Sequence, residues 1–240
     1  SDSAKPHSLS PSSWNRWEIC PRQYWLSRQR LPRKTGMAAS LGTAVHATIE
    51  DLVQLDLSSR DDSETDWMPA IAEERLQVRW QEEKDIFENT PRHGDWKEKE
   101  YSKARTQQAG GIELLLAHAG VPNLSPKNIT VALWKRVMAL VLAAEGELRT
   151  KDGKLMGRLD LLLADVNEKG EITGWVVADL KTGRAPSPDL KPEVRRQLLL
   201  YRDIILSNNP NPPPIRAEGW YTVTAKTYEA QGESVLDDAY

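Results

Sequence analysis

The chain has 240 residues and 27.1 kDa, with 39% hydrophobic and 28% charged side chains, the balance of a cored domain and not of a disordered chain. No apolar run approaches the ~20 residues needed to span a bilayer, and no secretory hydrophobic segment is read. The single cysteine, Cys20, excludes an internal disulfide and fits a reducing, cytoplasmic setting. The net charge of -3 does not by itself favour a polyanionic partner, yet the charge is unevenly spread. Arg16, Arg22, Arg28, Arg30, Arg33 and Lys34 face one acid, Glu18, between residues 16 and 34, whereas Glu50 to Glu74 holds nine acids against one arginine. A basic strip beside an acidic face suits contact with nucleic acid, and a solvated face produces the same pattern.

In chain order, Ser10-Pro11-Ser12-Ser13 predicts a helix start, with a helix over roughly 12–28 carrying Trp14, Trp17, Tyr24 and Trp25. Trp14 and Trp17, together with Arg16 and Arg22, are candidates for DNA contact by stacking and phosphate pairing, with packing against a core as the other reading of the tryptophans. A second helix is predicted at about 38–56 from Leu41, Val45, Ile49, Leu52 and Val53. Residues 57–66 read as loop, and helical patterns resume at 67–89, 103–119 and 130–145. Short strands are predicted at 147–149, 155–164 and 174–180, joined by the turn sequences Asp152-Gly153 and Asn167–Gly170. A helix at about 193–207 and a strand at 217–224 complete an α/β order with a helical insertion before the sheet.

The most informative stretch is Gly157-Arg158-Leu159-Asp160, then eighteen residues, then Asp179-Leu180-Lys181. Side chains alternate along a strand, so Asp179 and Lys181 are expected on one face, with Asp160 on the antiparallel neighbour close by. The flanking residues are apolar, so these acids sit on interior strands, where charge must be paired or bind metal. Two neighbouring carboxylates repel or share a proton, and a hard divalent ion resolves the conflict. Lys181 would then face the metal-bound water or the scissile phosphate, where it can stabilise growing negative charge. Gly42, His46 and Glu50 fall at four-residue spacing on one helical stripe, which makes His46 a candidate metal ligand and Glu50 either a ligand or a salt-bridge residue. Gln197 and Tyr201 share a helix face as positioning groups or as the polar edge of a core helix. Glu147 is a further candidate acid or a solvated strand start. There is no phosphate-binding glycine loop, no dinucleotide fingerprint and no nucleophile elbow.

Taken together, Gly42–His46, Gly157–Asp160, Asp179–Lys181 and Gln197–Tyr201, preceded by Leu9-Ser10-Pro11-Ser12 and Cys20–Tyr24, resemble the RecB-like branch of the PD-(D/E)XK nucleases, in family order. The resemblance implies a restriction-endonuclease-like core with a central mixed sheet flanked by helices, formed by residues 1–56 and 147–240, with 57–146 as a helical insertion or arch. It implies a Mg²⁺- or Mn²⁺-dependent deoxyribonuclease. His46, Asp160, Asp179 and the Leu180 carbonyl would hold metal, Lys181 would orient the attacking water, and Gln197 and Tyr201 would support the lysine or substrate. The partners implied are DNA, single-stranded or with free ends, and a helicase or other DNA-processing protein; no membrane is expected. Relatives with an iron–sulfur cluster use one N-terminal cysteine and three near the C-terminus. Only Cys20 is present here, so no cluster is expected in this chain. A catalytically idle nucleic-acid-binding or assembly subunit is the alternative function.

Overall fold

A serine followed by proline opens the first helix as its chemistry predicts. Ser10 Oγ accepts from Ser13 N at 3.3 Å, Ser13 Oγ accepts from Ser10 N at 2.8 Å, and Pro11 takes the first turn, where its missing N–H costs nothing. The computed structural model describes residues 9–20 and 35–236. Among the described residues five α-helices come first: α1 (Pro11–Ile19), α2 (Met37–Leu52), α3 (Met68–Asn89), α4 (Tyr101–His118) and α5 (Val131–Leu140). Then follow β1 (Val141–Arg149), β2 (Met156–Val166), β3 (Ile172–Lys181), α6 (Pro192–Asn208), β4 (Ile215–Tyr221) and β5 (Lys226–Glu229).

The second helix ends at Leu52, short of the expected 56, and the strand expected at 217–224 covers Ile215–Tyr221; two further boundaries have a clear physical cause. The first helix ends at Ile19, with Cys20 extended at φ -160°, as the residue before a proline prefers; the stretch 21–28 of the expected helix lies outside the described residues. The helix expected to reach 145 ends at Leu140, and β1 starts at Val141. There the chain pairs with β2 from Val141↔Leu163 to Arg149↔Met156, and ladder pairing outweighs helical periodicity. A short fifth strand, absent from the sequence reading, returns antiparallel along β4 after Ala225 (φ 51°).

The sheet runs β1-β2-β3-β4-β5. The first three strands form an antiparallel meander, α6 carries the chain across to β4, which is parallel to β3, and β5 closes a hairpin. One face buries Leu161, Leu163, Val176, Ala178, Leu180 and Trp220 against Ile49 and Leu52 of α2, Ile112 and Leu115 of α4 and Trp134 of α5. Residues from the segment between α2 and the sheet therefore share the main core. Trp134 Nε1 donates to Leu52 O at 2.7 Å and Trp67 Nε1 to Ile129 O at 2.9 Å, so both buried indoles keep a partner. The opposite face buries Leu159, Val177 and Ala217 against Leu198, Tyr201 and Ile205 of α6.

Candidate active site

The acids sit where two strands part. The β2–β3 ladder ends at Leu161↔Ala178, one rung short of Asp160 and Asp179. Alternation also breaks there, because Leu161 packs on the α2 side and Leu159 on the α6 side. Asp160 lies between them, and its carboxylate takes over the missing ladder bond by accepting from Leu180 N at 2.8 Å. Strict alternation, which the sequence reading assumed, would have put Asp160 out on one face of the sheet. The two carboxylates are close enough to hydrogen-bond when one is protonated. Burial, then the neighbouring Asp179 charge, pushes the Asp160 carboxyl far above the usual carboxylate range. Asp179 is the more deeply placed, 5% exposed, and its Oδ2 has no hydrogen-bond partner. The Lys181 ammonium lies 2.6 Å from that oxygen as an ion pair, at an angle that is not a hydrogen bond.

α2 brings His46 against this break. Gly42, one turn earlier, makes the approach feasible, since a Cβ there would stand 2.8 Å from Thr182 Oγ1 just beyond β3. His46 Nδ1 is 3.7 Å from Asp160 Oδ1, and its Nε2 is buried with no hydrogen-bond partner. Burial lowers its pKa, against the opposing pull of Asp179 and a main-chain contact with Leu180, so the imidazole is held neutral with a lone pair free for a cation.

Lys181 is held from its other side by α6. Its ammonium donates to Gln197 Oε1 at 3.0 Å, and Gln197 Nε2 donates to Tyr201 OH at 3.0 Å. Burial, followed by the Asp179 charge, raises the Tyr201 pKa, so the phenol stays protonated. The Tyr201 ring packs directly over Gly157, where any Cβ would overlap it. Gly157→Ala is therefore expected to destabilise the fold by about 1–3 kcal/mol through overpacking and to shift Tyr201. Thermal denaturation checks this, and a variant melting with the wild type would show that the ring moves freely.

The break opens into a cleft of about 390 Å³. Its lining includes His46, Glu50, Asp160 and Leu180 from the predicted set, and Arg79, Glu83, Glu145 and Arg158, which sequence reasoning did not assign. Arg158 lay inside the quoted Gly157–Asp160 segment. Glu145 was hidden by the helix expected through 145. Arg79 and Glu83, on α3, carry no local signal, and reach the cleft because Asp51 of α2 accepts from both Arg75 and Arg79. Burial raises the pKa of Glu50 and of Glu83, with the adjacent Asp51 and Glu82 charges adding to it.

Other candidates lie elsewhere. Glu147 is exposed outside the cleft and pairs with Arg149. Trp14 is 6% exposed in a cluster with Leu155, Leu200 and Ile204, with the Arg196 guanidinium over its ring at 5.2 Å, so its faces are not open to a base. Trp17 is 52% exposed, and Arg16 is half-buried on the same helix. Arg22 and the rest of the basic strip from 22 to 34 lie outside the described residues, as do Tyr24 and Trp25.

Among the described residues, no three His, Cys, Asp or Glu side chains stand in an arrangement that could hold a metal ion. The donor chemistry nonetheless fits a hard divalent cation: two carboxylates forced together, a neutral imidazole, and two buried donor atoms, His46 Nε2 and Asp179 Oδ2, without hydrogen-bond partners. With the Lys181 ammonium beside Asp179, a cation's charge is already partly replaced. No helix among the described residues is long and apolar enough to cross a membrane. A search of curated proteins found no significant match. The sequence matches the profile of the PD-(D/E)XK nuclease superfamily over residues 8–238. Its members are in general metal-dependent nucleases acting on DNA, and the five-stranded mixed sheet flanked by helices agrees with their fold. From these matches, in profile and in architecture, the chain belongs to the PD-(D/E)XK nuclease superfamily.

Proposed function

We propose that this cleft is the active centre of a Mg²⁺- or Mn²⁺-dependent deoxyribonuclease of the RecB-like branch. It hydrolyses phosphodiester bonds in single-stranded DNA or at free ends, in repair, recombination or processing, alone or beside a helicase or another DNA-processing protein. The observation that carries this reading is the pair of buried donor atoms without hydrogen-bond partners, His46 Nε2 and Asp179 Oδ2, beside an Asp160 carboxyl group whose pKa its surroundings raise. The single thiol of Cys20 leaves an iron–sulfur cluster out of this reading. A cleft of about 390 Å³ has the size of a small-ligand pocket, which supports a flexible strand over a duplex.

His46, Asp160 and Asp179, with the Leu180 carbonyl, would hold the cation. When bound, it supplies an acidified water and screens the phosphodiester charge. To serve as a ligand Asp160 would be ionised, its proton passing to solvent, with the cation offsetting the repulsion from Asp179. Lys181 exchanges its ion pair with Asp179 for the attacking water and the phosphate oxygens, where its charge offsets what develops during attack. Gln197 keeps the ammonium in reach by accepting one of its hydrogens, and Tyr201 orients the amide of Gln197 through its hydroxyl.

The test is incubation of end-labelled single-stranded and duplex DNA with Mg²⁺, Mn²⁺ or EDTA, alongside Lys181→Ala. Products that need metal and vanish in the variant are expected. Equal cutting of closed duplex circles and linear single strands would overturn the strand preference. Salt-dependent binding with no products in any metal would replace the enzyme reading with that of an idle binding subunit.

A further inference from the structure

The register that places Asp160 also places a third acid. Ala144↔Leu161 and Gly146↔Leu159 bracket Glu145 and set it across from Asp160 on the β1 side of β2, while Asp179 stands on the β3 side, just past the end of the β2–β3 ladder. Glu145 has φ 48°, a left-handed conformation a non-glycine residue adopts only when its surroundings impose it. Its carboxylate lines the cleft and pairs with the Arg158 guanidinium.

Such a lining repels the substrate it is meant to receive. Glu50, Glu83, Glu145 and Asp160 face the cleft against two arginines. Arg79 is already engaged, giving both Asp51 oxygens and Glu82 its hydrogens. Arg158 is different. It is exposed at the cleft wall, two residues from Asp160, and near enough for its charge to act on both His46 and Glu50. A guanidinium presents a planar fork that matches two phosphate oxygens, which an ammonium cannot do.

We propose that Arg158 is the residue that grips a nucleic-acid phosphate next to the reacting one, and that Glu145 is its built-in competitor, holding the guanidinium in the cleft until a phosphate displaces it. The inference deepens the nuclease reading and rests on it for the identity of the substrate. Glu145 thus makes entry selective for polyanions, since a ligand must outcompete a tethered carboxylate to engage Arg158.

The experiment measures binding of labelled oligothymidylate by fluorescence anisotropy in EDTA, across a salt series, and KM and kcat in Mg²⁺. Arg158→Ala is expected to raise Kd about tenfold and to flatten the salt slope by about 0.7, one single-strand phosphate contact. Arg158→Lys should fall between, retaining charge without the fork. Glu145→Gln should tighten binding about threefold, of the order of one exposed ion pair, and should have no effect in an Arg158→Ala background. A wild type that cuts, with Arg158→Ala equal to it in Kd, salt slope and KM, overturns the inference while the nuclease reading stands. Glu145→Gln that weakens binding would equally overturn the competitor role. A wild type that binds through Arg158 yet cuts nothing in Mg²⁺ supports the phosphate site and overturns the nuclease reading instead.

Discussion

Asparagine at position 160 is expected to lower metal-dependent cleavage sharply and, in EDTA at pH 8, to yield a protein that melts a few degrees above the wild type. Burial and the Asp179 charge raise the folded-state pKa of Asp160 to about 8, against 3.8 for the free group. A raised carboxyl contributes stability that is fully present below the lower value and is lost as pH rises through the upper one. Above pH 8 the folded chain must hold two adjacent carboxylates, and that cost offsets part of its packing. Asparagine cannot ionise, and its amide oxygen can still accept from Leu180 N in place of the carboxylate that does so at 2.8 Å. The gain in melting temperature should therefore vanish toward pH 4 and grow toward pH 8, with about 1 kcal/mol moving a chain of this size by about 2–4 °C. Added Mg²⁺ should raise the wild-type melting temperature by mass action and leave Asp160→Asn unmoved. Activity should fall about 10³-fold, the scale of a lost electrostatic contact at a reacting centre. A variant less stable than wild type at pH 8 in EDTA would mean that Asp160 is held by its hydrogen bond more than it is strained by its neighbour.

Removing the ammonium is expected to separate binding from turnover. Lys181 lies 2.6 Å from Asp179 Oδ2, the oxygen that would otherwise lack any partner, so it competes with a cation for the same charge. Lys181→Ala should bind Mn²⁺ more tightly in calorimetry, because an opposite charge that stabilised the empty carboxylate is gone. The same variant should lose about 10²–10⁴-fold in kcat, the usual range for a group that moves or orients a proton in the transition state, with KM for DNA changing far less. Weaker Mn²⁺ binding in Lys181→Ala would instead make the lysine a structural support of the carboxylates. Unchanged kcat would remove it from the reaction.

Much of this site is written in local sequence because its parts are short and regular. Gly42 and His46 are one helical turn apart, and Gln197 and Tyr201 are another, so spacing alone predicts that each pair shares a face. Asp179 and Lys181 alternate past Leu180 on a strand whose apolar neighbours announce burial. The turn at Asn167–Gly170 is likewise legible, and with it the antiparallel pairing of β2 and β3. Pro21 was legible too, and its effect on Cys20 is the local rule that the longer helical pattern concealed.

What only the tertiary structure decided depends on contacts between distant segments. The parting of β2 from β3 sets Asp160 between the sheet faces instead of on one of them, since its orientation follows from a ladder bond that a neighbouring strand does not make. β1 begins at Val141 because pairing with β2 outweighs a helical pattern of modest strength, and that one shift brings Glu145, not Glu147, to the cleft. Arg79 and Glu83 arrive on a helix whose approach is governed by the Asp51 ion pairs. Trp14 turns inward because α1 packs on α6. Local pattern determines which residues can share a face; long-range pairing and packing determine which faces meet, and the chemistry of this cleft lies where they do.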